Sequence, residues 1–186
     1  MDDRKLKEYA LKIFQGVSGY SLNKAFSLFP KYYPKIAYYY TLLLTKQSKE
    51  LNERAIQALG LDKALFIKKT YEEINTKALT FYVNAIAKLN EAETKMQNAK
   101  DIYDKYNAYS EGLMTGLNVI NNSIDILADS TELLFKAMNE SKIYGFGKLE
   151  IEINNAIKMN VQANRELKAI NKQFSNYLKQ YKYEEL

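Results

Sequence analysis

From residue 62 onward, apolar residues return in alternating steps of three and four, a rhythm that dictates long helices. The first run is Ile67, Tyr71, Ile74, Ala78, Phe81, Ala85, Leu89, Ala92, Met96, Ala99, Tyr103 and Tyr106, with one extra four-step around Ala85. Gly112 and Gly116 read as the break after it. A second run follows through Leu113, Leu117, Ile120, Ile124, Leu127, Thr131, Leu134 and Met138, until "YGFG" interrupts at 144–147. The third is Leu149, Ile153, Ala156, Asn160, Ala163, Leu167, Ile170, Phe174, Tyr177 and Tyr181. Heptad spacing lets three such helices present seams to one another, as in a bundle or a coiled coil. Asn160 falls on a seam, where a polar residue costs stability and fixes register. Ile126, Leu133, Ile151 and Ile157 fall off the seams. A second apolar flank on a bundle helix meets another subunit, so these four are the expected oligomerisation residues.

Composition agrees with an all-α fold. Of 186 residues, 47% are apolar and 26% charged, with only two prolines and seven glycines. The length suits one domain, or a compact domain with an extended element. Cysteine and histidine are both absent. That excludes disulfides and thiolate metal sites, and it removes the commonest general base and the commonest metal ligand. Glu72, Glu73, Glu91 and Glu93 lie mostly off the apolar runs and read as solvated helix faces. "YGFGKLE" lacks the spacing of a phosphate-binding loop. No catalytic residue, metal or cofactor is therefore expected. The chain opens MDDRKLKEYALK, unlike a secretory leader, and its longest apolar run, "IAYYYTLLL", is about half of the roughly twenty residues a spanning helix needs. The expectation is a soluble, cytoplasmic protein with no membrane partner.

The first sixty residues read differently. They hold ten Lys/Arg and five Asp/Glu, whereas residues 61–186 hold seventeen of each. No acid occurs between Glu8 and Glu50. The pattern is one of short helices: about Asp3 to Gln15, a break at Gly16 and Gly19, then "LNKAFSLF" capped by Ser21. "PKYYP" reads as a turn, and Pro34 opens a third helix through "KIAYYYTLLLTKQ". A fourth, "SKELNERAIQAL", is closed by Gly60, and Asp62 caps the next helix. Gly19 and Gly60 are expected at positive φ. Two domains follow from this reading: 1–60, small, basic and helix-turn-helix-like, and 61–186, long-helical and oligomerising. A polyanion suits the acid-free window, and double-stranded DNA is the expected partner. Lys24, Lys31, Tyr32, Tyr33, Lys35, Tyr38, Lys46 and Lys49 are the candidate DNA-binding residues, as ammonium and hydroxyl groups contact phosphate oxygens.

"LKEYALKIFQGVSGYSLNKAFSLF" with "LLLTKQSKELNERAIQALGLDKALFIKKTYEEI" resembles the N-terminal region of bacteriophage terminase small subunits. The matching residues are Gly19, Tyr20, Ser21, Lys24, Ala25, Leu44, Thr45, Ser48, Leu51, Leu59 and Gly60, over roughly residues 5–75. The resemblance implies DNA recognition for viral genome packaging, a homo-oligomer in the form of a ring, and a large ATPase-nuclease subunit as partner in the infected host's cytoplasm. The competing reading is a structural or adaptor coiled-coil protein, a virion component or a secretion-type chaperone, with no DNA role.

Overall fold

The structure, a computed structural model, describes residues 1–59, 65–143 and 147–180. The described residues form helices and no strands. These are α1 (Asp3–Phe14), α2 (Leu22–Leu28), a 3-10 turn (Pro30–Tyr32), α3 (Tyr33–Gln57), α4 (Leu65–Asn98), α5 (Ile102–Ile143) and α6 (Gly147–Gln180). The local signals explain the starts. Asp2 caps α1 by accepting from the Lys5 amide, and Ser21 caps α2 by accepting from the Lys24 amide at 3.0 Å. Between them the chain turns at Gly16 (φ 71°) and Gly19 (φ 89°), a backbone region that glycine enters without a Cβ clash. Pro34 occupies the first turn of α3, where a missing amide hydrogen costs nothing. Gly60 and Asp62 lie outside the described residues.

Two boundaries differ from the sequence reading. The segment expected to be a third and a fourth helix is one helix, α3, because no glycine or proline interrupts residues 35–57. The first long helix ends at Asn98, not near Gly112. Asp101 then caps α5, its carboxylate accepting from the Asp104 amide at 2.8 Å. Gly112 and Gly116 are buried inside α5 and serve close packing. A Cβ on Gly116 would come within 2.9 Å of the Phe174 ring, and one on Gly112 would lie 3.8 Å from Pro34 Cγ.

Side-chain contacts fix the topology. Tyr38 donates to the Tyr82 carbonyl and Tyr71 to the Lys49 carbonyl, so α3 and α4 are antiparallel. Tyr82 bonds Ser123 and Lys95 bonds Glu111, so α4 and α5 are antiparallel too. Tyr33 packs on Phe174 while Tyr40 donates to Glu166, which sets α6 antiparallel to α3. Helices α3 to α6 thus form an up-down-up-down bundle. α5, about 63 Å long at 1.5 Å per residue, packs on the other three. α3 lies closely on α5 and α6 and only lightly on α4. α1 and α2 pack on the N-terminal half of α3.

Segments 1–60 and 61–186 therefore share their core. Leu6, Ile36 and Leu44 pack in one cluster with Leu89, Leu113, Leu167 and Phe174. A second cluster joins Ala55 and Ile56 to Ile67, Leu134 and Ile153. Between the two clusters each of three helices contributes buried polar side chains: Ser48 and Asn52 from α3, Ser130 from α5 and Asn160 from α6. Tyr40 reaches Glu166, so antiparallel register sets Ser48 level with about residue 158, close to Asn160. Asn160 is on its seam as the spacing predicts, and it belongs to this polar belt.

Candidate functional site

The N-terminal half of α3 is the part of the chain from which a DNA-docking surface was expected. Tyr33 through Tyr39 are instead buried without a break. A helix buried around its whole circumference has no solvated face to offer. Of the eight candidate DNA-binding residues, three are lost to the interior. Tyr33 is enclosed by Phe26, Phe174 and Tyr177, and burial raises its pKa far above the tyrosine range. Tyr38 donates to the Tyr82 carbonyl at 2.9 Å. Lys35 is buried and pairs with Asp3 of α1 at 3.0 Å and with Glu93 of α4. The acid-free window is real in the sequence, but acids from α1 and from α4 fold onto its central lysine.

The other five remain accessible. Lys24, Lys46 and Lys49 are exposed, while Lys31 and Tyr32 are half-buried beside each other, the ammonium 5.3 Å from the Tyr32 ring centre. They do not converge on one surface of a recognition helix. Lys31 lies near Met96 and Tyr109 at one end of the bundle, while Lys46 and Lys49 lie more than halfway along α3. Of the expected oligomerisation residues, Leu133 is in the core, Ile126 and Ile157 are half-buried, and only Ile151 is fully exposed. Leu133 is covered within the chain because α5 touches three helices and so buries more than one seam.

Where α3 and α4 diverge, a groove of about 340 Å³ opens over α5. Its walls are successive turns of two antiparallel helices. Leu42, Thr45, Lys46, Lys49 and Asn52 come from α3, spaced so that all lie on one face. Opposite them on α4 are Tyr71, Asn75, Ala78, Leu79 and Tyr82. Ile126, Leu127 and Ser130 of α5 close the floor. The ten steps of helical rise from Leu42 to Asn52 make the groove roughly 15 Å long. One end, at Leu42, Leu79 and Leu127, is apolar. The other reaches the polar belt at Asn52 and Ser130.

The belt end is incompletely bonded. Tyr71 donates to the Lys49 carbonyl at 3.3 Å. Burial raises the Tyr71 pKa to about 12, against hydrogen bonds from Asn75 and Asn52 that lower it. Ser130 donates to the Ile126 carbonyl at 2.8 Å. Asn52, 1% exposed, has no hydrogen-bond partner for its Oδ1, and the same holds for Ser48 Oγ and both amide atoms of Asn160. At the mouth, Leu79 is 65% exposed and Val83 follows one turn along. Lys49 leans towards Glu53 at 3.6 Å, and Lys46 has no ion-pair partner among the described residues. The sequence reading had Lys46 and Lys49 at a binding surface but missed the groove, because Leu79 and Asn52 sit off the heptad seams and are brought together only by tertiary packing.

A second, wider depression of about 510 Å³ lies between α4 and α5, rimmed by Glu73, Lys77, Asp129, Glu132 and Lys136. Its rim mixes acids with lysines, so it presents no single sign of charge to a ligand. Among the described residues, no three acidic side chains gather as metal ligands would, and no helix is long and apolar enough to cross a membrane. No protein-family model, no curated protein and no solved structure matches the chain.

Proposed function

We propose that the chain is a non-catalytic binding module whose recognition site is the groove between α3 and α4. The observation that carries this reading is a groove of about 340 Å³ whose wall presents Leu79, an apolar side chain 65% exposed to solvent. A concave, mostly apolar surface with a few convergent polar groups is the usual form of a ligand site. An environment-sensitive dye such as anilinonaphthalene sulfonate tests it. Fluorescence enhancement by the full chain, lost in Leu79→Glu with the far-ultraviolet circular dichroism unchanged, is the expected result. Equal enhancement by both proteins, or none by either, removes the groove as a binding site.

The second reading is recognition of double-stranded DNA in the manner of terminase small subunits, acting for a large ATPase-nuclease partner, with homo-oligomerisation through the long helices. It is supported by the excess of basic residues in positions 1–60 and by the exposure of Lys24, Lys46 and Lys49. The burial of Tyr33, Lys35 and Tyr38 weighs against it. A gel shift at two salt concentrations decides, since phosphate contacts give affinity that falls steeply with salt. Binding that disappears when Lys24, Lys46 and Lys49 are replaced together by alanine would favour this reading, and absence of any shift at low salt would end it.

A further inference from the structure

We infer that the outer face of α6 docks the phosphate backbone of a nucleic-acid duplex, through a row formed by Lys158, Arg165, Lys168, Lys172 and Lys179. The duplex is also the ligand of the second reading above, but none of the residues are shared, and the row is independent of the groove between α3 and α4.

Residues 61–186 balance seventeen bases against seventeen acids, yet α5 and α6 divide them unevenly. α5 carries Glu111, Asp125, Asp129 and Glu132, all exposed, with no Lys or Arg between them. Between residues 158 and 179, α6 carries five Lys/Arg and a single acid, Glu166. All five bases are exposed. Successive steps of seven, three, four and seven residues set them on one face of the helix. The row is about 32 Å long at 1.5 Å per residue. None of its members forms an ion pair among the described residues.

The acids nearest to the row are turned away from it. Glu166 accepts from Tyr40 of α3. Asp125, Asp129 and Glu132 rim the depression on the α4 side of α5, while towards α6 that helix offers Asn121, bonded to Asn171. On α3, Glu53 is approached by Lys49. The Tyr40–Glu166 bond sets the exposed Glu50 level with about residue 156, beyond the end of the row at Lys158.

A polyanion is the complement of such a row, because each phosphate that a lysine or arginine neutralises releases condensed counterions. The kind of polyanion follows from what the face lacks. It has no exposed aromatic ring on which the bases of a single strand could stack. Val161, 39% exposed, is the one exposed large apolar side chain within the row, so the face lacks the apolar flank of a helix that lies in a membrane surface. A row of about 32 Å is close to one turn of duplex, about 34–36 Å. Contacts of this kind position a duplex without reading its sequence.

Fluorescence anisotropy of the full chain with a labelled duplex of about twenty base pairs, two helical turns, read across a salt series, tests the inference. Wild type is expected to bind at low salt, with affinity falling steeply as salt rises. The triple variant Arg165→Ala, Lys168→Ala, Lys172→Ala, with circular dichroism unchanged, is expected to flatten the log–log salt slope by about 2.7, at about 0.9 per phosphate contact. The charge-keeping triple Arg165→Lys, Lys168→Arg, Lys172→Arg is expected to retain the slope. Alanine at Lys24, Lys46 and Lys49 together is expected to leave it unchanged. Loss of slope in that variant alone assigns the duplex to the N-terminal lysines and overturns the α6 row, and equal losses in both alanine triples overturn it as diffuse attraction. No binding at low salt, or an unchanged slope in the α6 alanine triple, overturns it too. So does tighter binding to phosphatidylserine vesicles than to the duplex, lost in the same triple, which makes the face a membrane surface instead.

Discussion

Lys35 is 6% exposed and stays charged there because two carboxylates reach it from different helices. Burial pulls its pKa down, but the bonds and charges of Glu93 and Asp3 outweigh that and hold it above 10.5. The partner's shift has the opposite sign. Burial works to raise Asp3, yet the hydrogen bond and charge of Lys35 keep it below 3.8. A carboxyl depressed in the folded state contributes stability above its unfolded value and loses it as pH falls through the folded one. The stability advantage of wild type over Asp3→Asn in urea melts is therefore expected to be constant above 3.8 and to fade at more acid pH. An advantage independent of pH would show that the charge is irrelevant. Lys35→Ala is expected to cost roughly 2 kcal/mol, short of the 3–5 for a fully buried pair because Asp3 is half in water. A double-mutant cycle with Glu93→Gln reads the pairing directly, and zero coupling would refute it. Gly116 offers a second residue-level test. Alanine there presses on the Phe174 ring and is expected to cost roughly 1–3 kcal/mol. Alanine at Gly112 meets only ordinary contacts and gains helix propensity, so it is expected to be neutral or better in the same denaturation assay.

At the scale of the element, α3 separates what the sequence discloses from what it hides. Its start was legible, because Pro34 and the capped α2 before it are local signals. Its continuity was misread: Ser48 invites a cap and the segment was divided there into two helices, although no breaker stands between Pro34 and Gln57. Its environment was not legible either. "YYPKIAYYY" reads as basic and hydroxyl-rich when lysines are counted, and as a helix buried all round when circumference is counted. Only the folded partners Asp3 and Glu93 decide between them. The tyrosines settle the matter by reaching outward to different helices: Tyr38 to α4, Tyr39 to Asp3 of α1, Tyr40 to Glu166 of α6. Heptad counting placed the α6 seam well, with Ile153, Ala156, Ala163, Leu167 and Phe174 all buried. It failed at the end of α4, where the apolar spacing runs on through Tyr103, now exposed, past the turn that Asp101 caps. Asn160 lies on that α6 seam with both amide atoms unpartnered. Asn160→Leu is expected to raise stability by about 1 kcal/mol or more in chemical denaturation, since a buried group that lacks partners is better replaced than kept. A destabilised variant would mean that ordered water satisfies the amide.

For the whole molecule, the sixteen tyrosines make alkali a structural probe. Burial raises Tyr38 and Tyr71 to about 12 and pushes Tyr33, Tyr39 and Tyr40 higher. A raised tyrosine contributes stability below its ordinary value of 10.0 and loses it as pH climbs towards the folded value. Tyrosinate absorbance is expected to rise in two stages, the exposed rings near pH 10 and the buried ones together in a sharp step at unfolding. A single smooth titration centred at 10 would contradict the buried α3. The bundle's core also has a seam across it, not only along it. The polar belt of Ser48, Asn52, Ser130 and Asn160 parts one apolar cluster from the other. Packing transmits cooperativity, and unbonded amides transmit it poorly. The chain is thus built as two stacked folding units joined by four continuous helices. In native-state hydrogen exchange, the end closed by α1, α2 and Phe174 should open at a higher free energy than the end around Ile56, Ile67 and Ile153, each helix fraying inward from that end and halting at the belt.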